Sequence, residues 1–271
     1  MKAVHERLRR FLHENSGIYL GPEKNYLIDS RLPQLLRQHG LEDASQLLQG
    51  LQRDPQGALA SALISTLATH ETFWFRDQRA FDALRQHLLP VWRARDGRRL
   101  ALWSAACSSG QEIYSVAMVL AQEGLLEPGW NTQLLASDIC ADSLQQARDG
   151  CYSGFEVERG LPPALLQRYF AQASGQWQID VRLRRSVRFE HINLLHIPGT
   201  VGLFDAIFCR NVLIYFDQRT QLQVLQALHA RLAPGGWLFL GPVESPLSLC
   251  GSLFAPGPVT GLYQKIDIAC P

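Results

Sequence analysis

No C-x-x-C pair occurs among the six cysteines (Cys107, Cys140, Cys151, Cys209, Cys250 and Cys270). That excludes a zinc ribbon and leaves reduced, mostly buried thiols as the expectation. There is no G-x-G-x-x-G, so a dinucleotide pyrophosphate has no cradle, and no G-x-x-x-x-G-K-[ST], so an NTP has none either. The chain also lacks H-E-x-x-H, and neither a Ser-His-Asp signature nor a metal-ligand set is expected of it. No apolar run reaches the ~18 residues of a membrane span, and MKAVHERLRR at the start is too charged for a signal peptide. A net charge of +1 gives no global field toward nucleic acid or membrane. The absent N/D-P-P-Y/F turn and Pro-Cys pair argue further against a base methyltransferase. Repeats and low-complexity stretches are missing as well. What remains is a soluble, cytoplasmic globular protein with 46% apolar and 19% charged residues, long enough for one large or two modest domains.

The informative stretch is Leu100 to Ala121. Leu100–Trp103 is long enough for a buried parallel strand, small residues and Gly110 make a turn, and Ile113, Val116, Ala117 and Leu120 repeat at helical spacing. Strand, tight turn and helix present backbone N–H groups at the carboxyl edge of an α/β sheet. A single glycine and the acid Glu112 at the helix start suit either an ordinary dipole partner or a cationic, phosphate-free ligand such as S-adenosylmethionine.

Before this stretch, residues 1–75 read as a small helical domain. Apolar spacing marks helices around Val4–Leu12, from Pro22 past Leu36, Ser45–Leu51 and Ala58–Ala68, with Pro33 expected to kink or split the second. Lys24, Arg31 and Arg37 share one face, as a solvated stripe or as a dock for an acidic protein helix. The run Thr69–Asp77 carries three aromatics, either as a packed linker or with Thr72 and Arg76 facing a ligand. Residues 76–99 form a linker helix closed by Pro90, with Arg93, Arg95, Arg98 and Arg99 before the first strand.

After it, Leu134–Ser137 is a second strand ending in Asp138, where doubly wound folds accept ribose hydroxyls; a helix cap is the other use of such an Asp. Residues 151–186 interrupt the alternation with a small β excursion, in which Trp177 to Leu183 alternate as a half-exposed strand. Strands at Val187–Phe189, Phe204–Phe208 and Trp237–Leu240, a helix over Gln218–Leu232 and an antiparallel Gly261–Lys265 complete the sheet. The fold class is α/β: a Rossmann-like methyltransferase sheet over 100–271, with an N-terminal helical domain and an inserted β-subdomain.

The stretches THETFWFRD (69–77), LWSAACSSGQEIYSVAM (102–118), ASDIC (136–140), INLL (192–195), FDAIFCRNVLIYFD (204–217) and LAPGGWLFLGPVES (232–245) resemble, in order, the chemotaxis receptor glutamate methyltransferases, the CheR family. The resemblance implies methyl transfer from S-adenosylmethionine to glutamate side chains in the cytoplasmic helical domain of a chemoreceptor, with S-adenosylhomocysteine as product. It further implies a monomer without direct membrane insertion, whose helical domain recognises the receptor. On it, His70, Thr72, Arg76, Ala105, Gly110, Glu112, Asp138, Asn193, Leu194, Arg210 and Asn211 fall at cofactor positions, and Lys24, Arg31 and Arg37 at substrate positions. Tyr215, Arg210 and Arg93 are the candidates for orienting the acceptor carboxylate. His70 stands where the family commonly has asparagine, and Gln111 where it often has glutamate. A non-catalytic cofactor-binding scaffold of a chemosensory complex is the alternative.

Overall fold

The computed structural model describes residues 2–267 of the 271, so Cys270 lies outside the described residues. Its first part is helical: α1 (Lys2–Ser16), α2 (Asn25–Gln38), α3 (Ala44–Arg53) and α4 (Ala58–Leu67). Gly17 ends α1 at φ +76°, and the Asp43 carboxylate caps α3 by accepting from Ser45 and Gln46 N–H. The helices meet through Leu8, Leu12, Ile28, Leu35, Leu47 and Leu63, all essentially inaccessible. That packing corrects one expectation: α2 runs on through Pro33 without splitting. Ile28 and Leu35 are buried on either side of the exposed proline, and holding both in the core outweighs one missing backbone hydrogen bond.

The linker aromatics are pinned. Trp74 is fully buried, edge-on to Tyr152 and Phe170, and the Phe75 N–H donates to Ser115 Oγ. The next helix does not close at Pro90. It continues as α5 (Gln78–Ala83), a π-helical turn over Leu84–Leu88 and α6 (Leu89–Arg93). The wide turn lets Leu89 N–H reach back to Leu84 O, so the coil absorbs the proline one residue later.

The alternating part follows: β1 (Arg99–Ala105), α7 (Gln111–Gln122), β2 (Asn131–Asp138) and α8 (Ala141–Asp149). The excursion then holds β3 (Cys151–Tyr152), α9 (Gly154–Glu158), α10 (Pro163–Tyr169), β4 (Phe170–Ala173), β5 (Gln176–Ile179) and α11 (Val181–Ser186). Its strands form an antiparallel sheet in the order β3-β5-β4. The strand expected through Leu183 is a correction. It stops at Ile179 because Asp180 caps a helix, taking Arg182 N–H at 2.7 Å, and Leu183 is buried from that helix. The chain returns through β6 (Val187–His191), β7 (Phe204–Phe208), α12 (Gln218–Arg231), β8 (Leu232–Phe239), α13 (Leu247–Cys250), β9 (Phe254–Pro256) and β10 (Leu262–Lys265).

The main sheet has the order β6-β2-β1-β7-β8-β10-β9, parallel from β6 to β8, with β10 antiparallel to both neighbours. Period-2 alternation divides its core. Leu100, Leu102 and Leu134 pack with α7 and the linker helix, while Trp103, Ala105 and Leu135 pack with Leu225 and Leu228 of α12 on the other face. The chain goes outward from β1 to β2 and β6, then crosses back to β7. The strand order therefore reverses between β1 and β7, which opens a crevice at their carboxyl ends.

Candidate functional site

That crevice is a cavity of about 370 Å³. Four parallel strands end on it: Ala106, Cys107 and Ser108 follow β1, Asp138 ends β2 and Ile139 follows it, Ile192 to Leu194 follow β6, and Arg210 to Val212 follow β7. Tyr215 and the linker residues His70, Thr72 and Arg76 line it too. Its remaining wall comes from the helical part, through Ser16, Ile18 to Leu20, Lys24, Tyr26, Leu27 and Arg31.

The turn after β1 puts Ala106 and Ser108 at φ +70° and +50°, and both line the cavity. Ala105 and Gly110 stand beside the cavity and do not line it. Ala105 is buried in the sheet core, and Gly110 precedes α7 at φ +94°, where an added Cβ would meet Ala147 and Tyr114. Its conformational freedom serves helix packing.

Asp138 is 7% exposed. Its Oδ2 accepts Ser108 N–H at 2.8 Å and its Oδ1 accepts Cys140 N–H at 2.9 Å, tying the ends of β1 and β2 together. Burial pushes its carboxyl above the usual value, against the lowering effect of those N–H groups and of nearby His70. Each oxygen keeps a lone pair for a further donor. The Cys107 thiol is pushed well up by burial, so it is inert as a nucleophile.

Glu112 uses both oxygens: Oε1 accepts Ser104 Oγ at 2.8 Å, and Oε2 accepts Arg210 Nη1 at 3.0 Å. Arg210 Nη2 donates to Arg76 O at 2.6 Å, and the guanidinium lies 5.9 Å from the Phe81 ring centre. With 1% of its side chain exposed, Arg210 is engaged inward. It lines the cavity and holds Glu112.

Arg93 does not line the cavity. It pairs with Glu123 at 2.7 Å, beyond the last residue of α7. Because α7 runs back from the carboxyl edge of β1, that pair sits at the opposite, amino edge of the sheet. The Lys24, Arg31 and Arg37 stripe divides as well. Exposed Lys24 lines the cavity. Arg31 lines it too but donates to Thr66 O and Ala68 O at 3.0 Å, capping the end of α4. Arg37 is exposed and outside the lining.

Asn193 lines the cavity while its Nδ2 donates to Asn15 O at 2.6 Å and its Oδ1 accepts Leu195 N–H. His70 Nε2 lies 2.8 Å from Ser65 O. Tyr215 stands half-buried on a short 3-10 turn, and its carbonyl accepts Tyr19 N–H at 2.7 Å. The closing wall of Tyr19 and Tyr26 was absent from the sequence expectations. No local motif marks it, because it exists only where the helical part meets the sheet. Glu244, which no local signal singles out, accepts Asn211 N–H beneath the loop after β7.

Two family patterns match: "CheR methyltransferase, SAM binding domain" over residues 70–248, and "CheR methyltransferase, all-alpha domain" over 5–68. Relatives include chemotaxis protein methyltransferase Cher2 of Pseudomonas putida, 40% identical over 89% of each chain. Chemotaxis protein methyltransferase 1 of Pseudomonas aeruginosa is 41% identical over 89% of each. The Escherichia coli chemotaxis protein methyltransferase is 39% identical over 88% of this chain and 83% of its own. Among solved structures, magnesium protoporphyrin IX methyltransferase from Synechocystis aligns at TM-score 0.37 and 14% identity, covering 69% of this chain and 76% of that one.

Proposed function

This chain belongs to the CheR methyltransferase family, with S-adenosylmethionine as its cofactor, and from that premise we propose that it methylates glutamate side chains in the cytoplasmic helical region of a chemoreceptor. The products are a glutamyl methyl ester and S-adenosylhomocysteine: the carboxylate oxygen gains the methyl, and the sulfonium becomes a thioether. The chemotaxis names of the relatives support the pathway.

The residues present fit the cofactor. A nucleoside-sized cavity carries three carboxylates, Glu71, Glu112 and Asp138, and no Gly-rich phosphate cradle, which suits a cation with ribose hydroxyls and no phosphate. When bound, the cofactor supplies a methyl group already activated on sulfur. In this reading Asp138 accepts the ribose hydroxyls, while Asn193 and Leu194 border the adenine. Glu112, held by Arg210, takes the amino-acid end together with His70, Thr72, Arg76 and the backbone at Asn211.

The acceptor needs no general base, because a glutamate with an ordinary pKa of about 4.3 is already ionised at neutral pH. Alignment is the remaining task. Tyr215, on the wall nearest the helical part, orients the acceptor, and exposed Lys24 draws its negative charge to the mouth. Residues 1–75 serve receptor recognition, 76–99 link, and 100–271 carry catalysis, with the excursion at 151–186.

The observation that carries this reading is the convergence of Glu112, Asp138, Asn193 and Tyr215 on one cavity at four strand ends. The test is transfer of tritiated methyl to chemoreceptor cytoplasmic fragments, with mass spectrometry locating a base-labile ester. Tyr215→Phe is expected to lower kcat by about tenfold or more while S-adenosylhomocysteine affinity stays within about threefold. Equal losses in both would remove Tyr215 from the acceptor side, and unlabelled receptor fragments would sink the reading.

A further inference from the structure

Glu244 follows β8 and is 5% exposed, yet its carboxylate has no cationic partner among the described residues. Burying a lone carboxylate is costly unless donors surround it. Three backbone N–H groups do so. Oε2 accepts Gly241 at 2.6 Å and Asn211 at 2.8 Å, and Oε1 accepts Ile214 at 3.3 Å. One side chain thus joins the loop after β8 to the loop after β7.

The join is tight. A Cβ on Gly241 would stand 2.7 Å from both Glu244 Oε2 and Asn211 Nδ2, so the loops approach this closely only because residue 241 is glycine. Asn211 sits at φ +59°, a left-handed conformation that a charge-assisted hydrogen bond to its N–H helps to hold. Ile214 shares its 3-10 turn with Tyr215, and the hydroxyl of Tyr263 donates to the Glu244 carbonyl, anchoring the acid from β10. Glu244 itself does not line the cavity.

We infer that Glu244 is a positioning residue for the methyl transfer: its carboxylate sets the backbone from Asn211 to Ile214, and through it the place of Tyr215, without touching either ligand. This rests on the acceptor role given to Tyr215 above.

Two measurements test it. In ligand-free protein, hydrogen exchange of the Asn211 and Ile214 amides is expected to quicken by about tenfold or more in Glu244→Gln, while amides within β7 and β8 keep their protection. In the receptor assay the same variant is expected to lose kcat by about tenfold, with both KM values within about threefold. Combined with Tyr215→Phe, it should lose little more than the worse single variant, since the two act through one group. Should Glu244→Gln lose its thermal transition, Glu244→Asp carries the same comparisons, because its shorter arm cannot span both loops.

Unchanged exchange at Asn211 and Ile214 overturns the clamp. Faster exchange with wild-type kcat overturns the positioning role, and multiplying losses in the double variant overturn the route through Tyr215. A wild-type protein that labels no receptor sinks the preceding function alone, because the exchange measurement needs no substrate.

Discussion

Arg210 Nη1 and Glu112 Oε2 lie 3.0 Å apart at the meeting of β7's carboxyl end and α7's first turn. The pair extends to Ser104 of β1 through Glu112 and to the linker carbonyl of Arg76 through the other guanidinium nitrogen. Four separate segments therefore depend on one fork-shaped cation.

Arg210→Ala leaves a largely buried carboxylate without its partner, and removal of one member of such a pair costs about 3–5 kcal/mol. Urea denaturation at pH 7 should show a loss of that order. Arg210→Lys should recover only part of it, since one ammonium cannot match the geometry of the planar fork. A loss within about 1 kcal/mol for the alanine variant would mean that the pair is not a fastening.

The ribose role proposed for Asp138 makes ligand affinity depend on pH. Burial holds its proton to higher pH than an exposed carboxyl would. Between the ordinary carboxylate range and that raised value, the folded chain binds more protons than the unfolded one. This group's contribution to stability therefore falls as pH rises through the window. The ionised form is the better acceptor for ribose hydroxyls, so affinity should move the opposite way. Calorimetry with S-adenosylhomocysteine should show tighter binding as pH rises through the window. Asp138→Asn should bind more weakly throughout, with that pH dependence flattened. A wild-type affinity independent of pH would remove Asp138 from the ribose.

Gly110→Ala separates packing from ligand contact. An added Cβ would meet Ala147 Cβ at 2.9 Å, at a φ of +94° that side chains rarely adopt. The expected cost is about 1–3 kcal/mol in chemical denaturation. At temperatures where the variant stays folded, S-adenosylhomocysteine affinity should remain within about threefold of wild type. A large affinity loss in a stable variant would return Gly110 to the cavity.

The strand ends were legible because each is a local event. A short apolar run, a break in period and a polar residue at the break placed Asp138, Asn193 and Arg210 at sheet edges before any packing was known. Local rules failed where packing opposed them. Pro33 reads as a kink or split and Pro90 as a helix stop, yet α2 keeps Ile28 and Leu35 buried across the first, and a π turn absorbs the second. At 181–186 the alternation of Val181, Arg182, Leu183 and Arg184 suited a strand, but the Asp180 cap and the burial of Leu183 made a helix.

The amino-acid order alone determined the α/β class, the helical beginning, the inserted strands and the residues that stand at the strand termini, since period and turn chemistry act over a few neighbours. Tertiary structure alone decided which charges face the cavity. Arg93 and Arg210 are both arginines beside sheet strands. One is carried to the amino edge by the direction of α7, and the other is turned onto Glu112 by the crossing at β7. The closing of the cavity by Tyr19 and Tyr26 and the bridging of two loops by Glu244 likewise depend on segments far apart in the chain. Such contacts arise from chain crossing and burial, which a window of neighbouring residues does not encode.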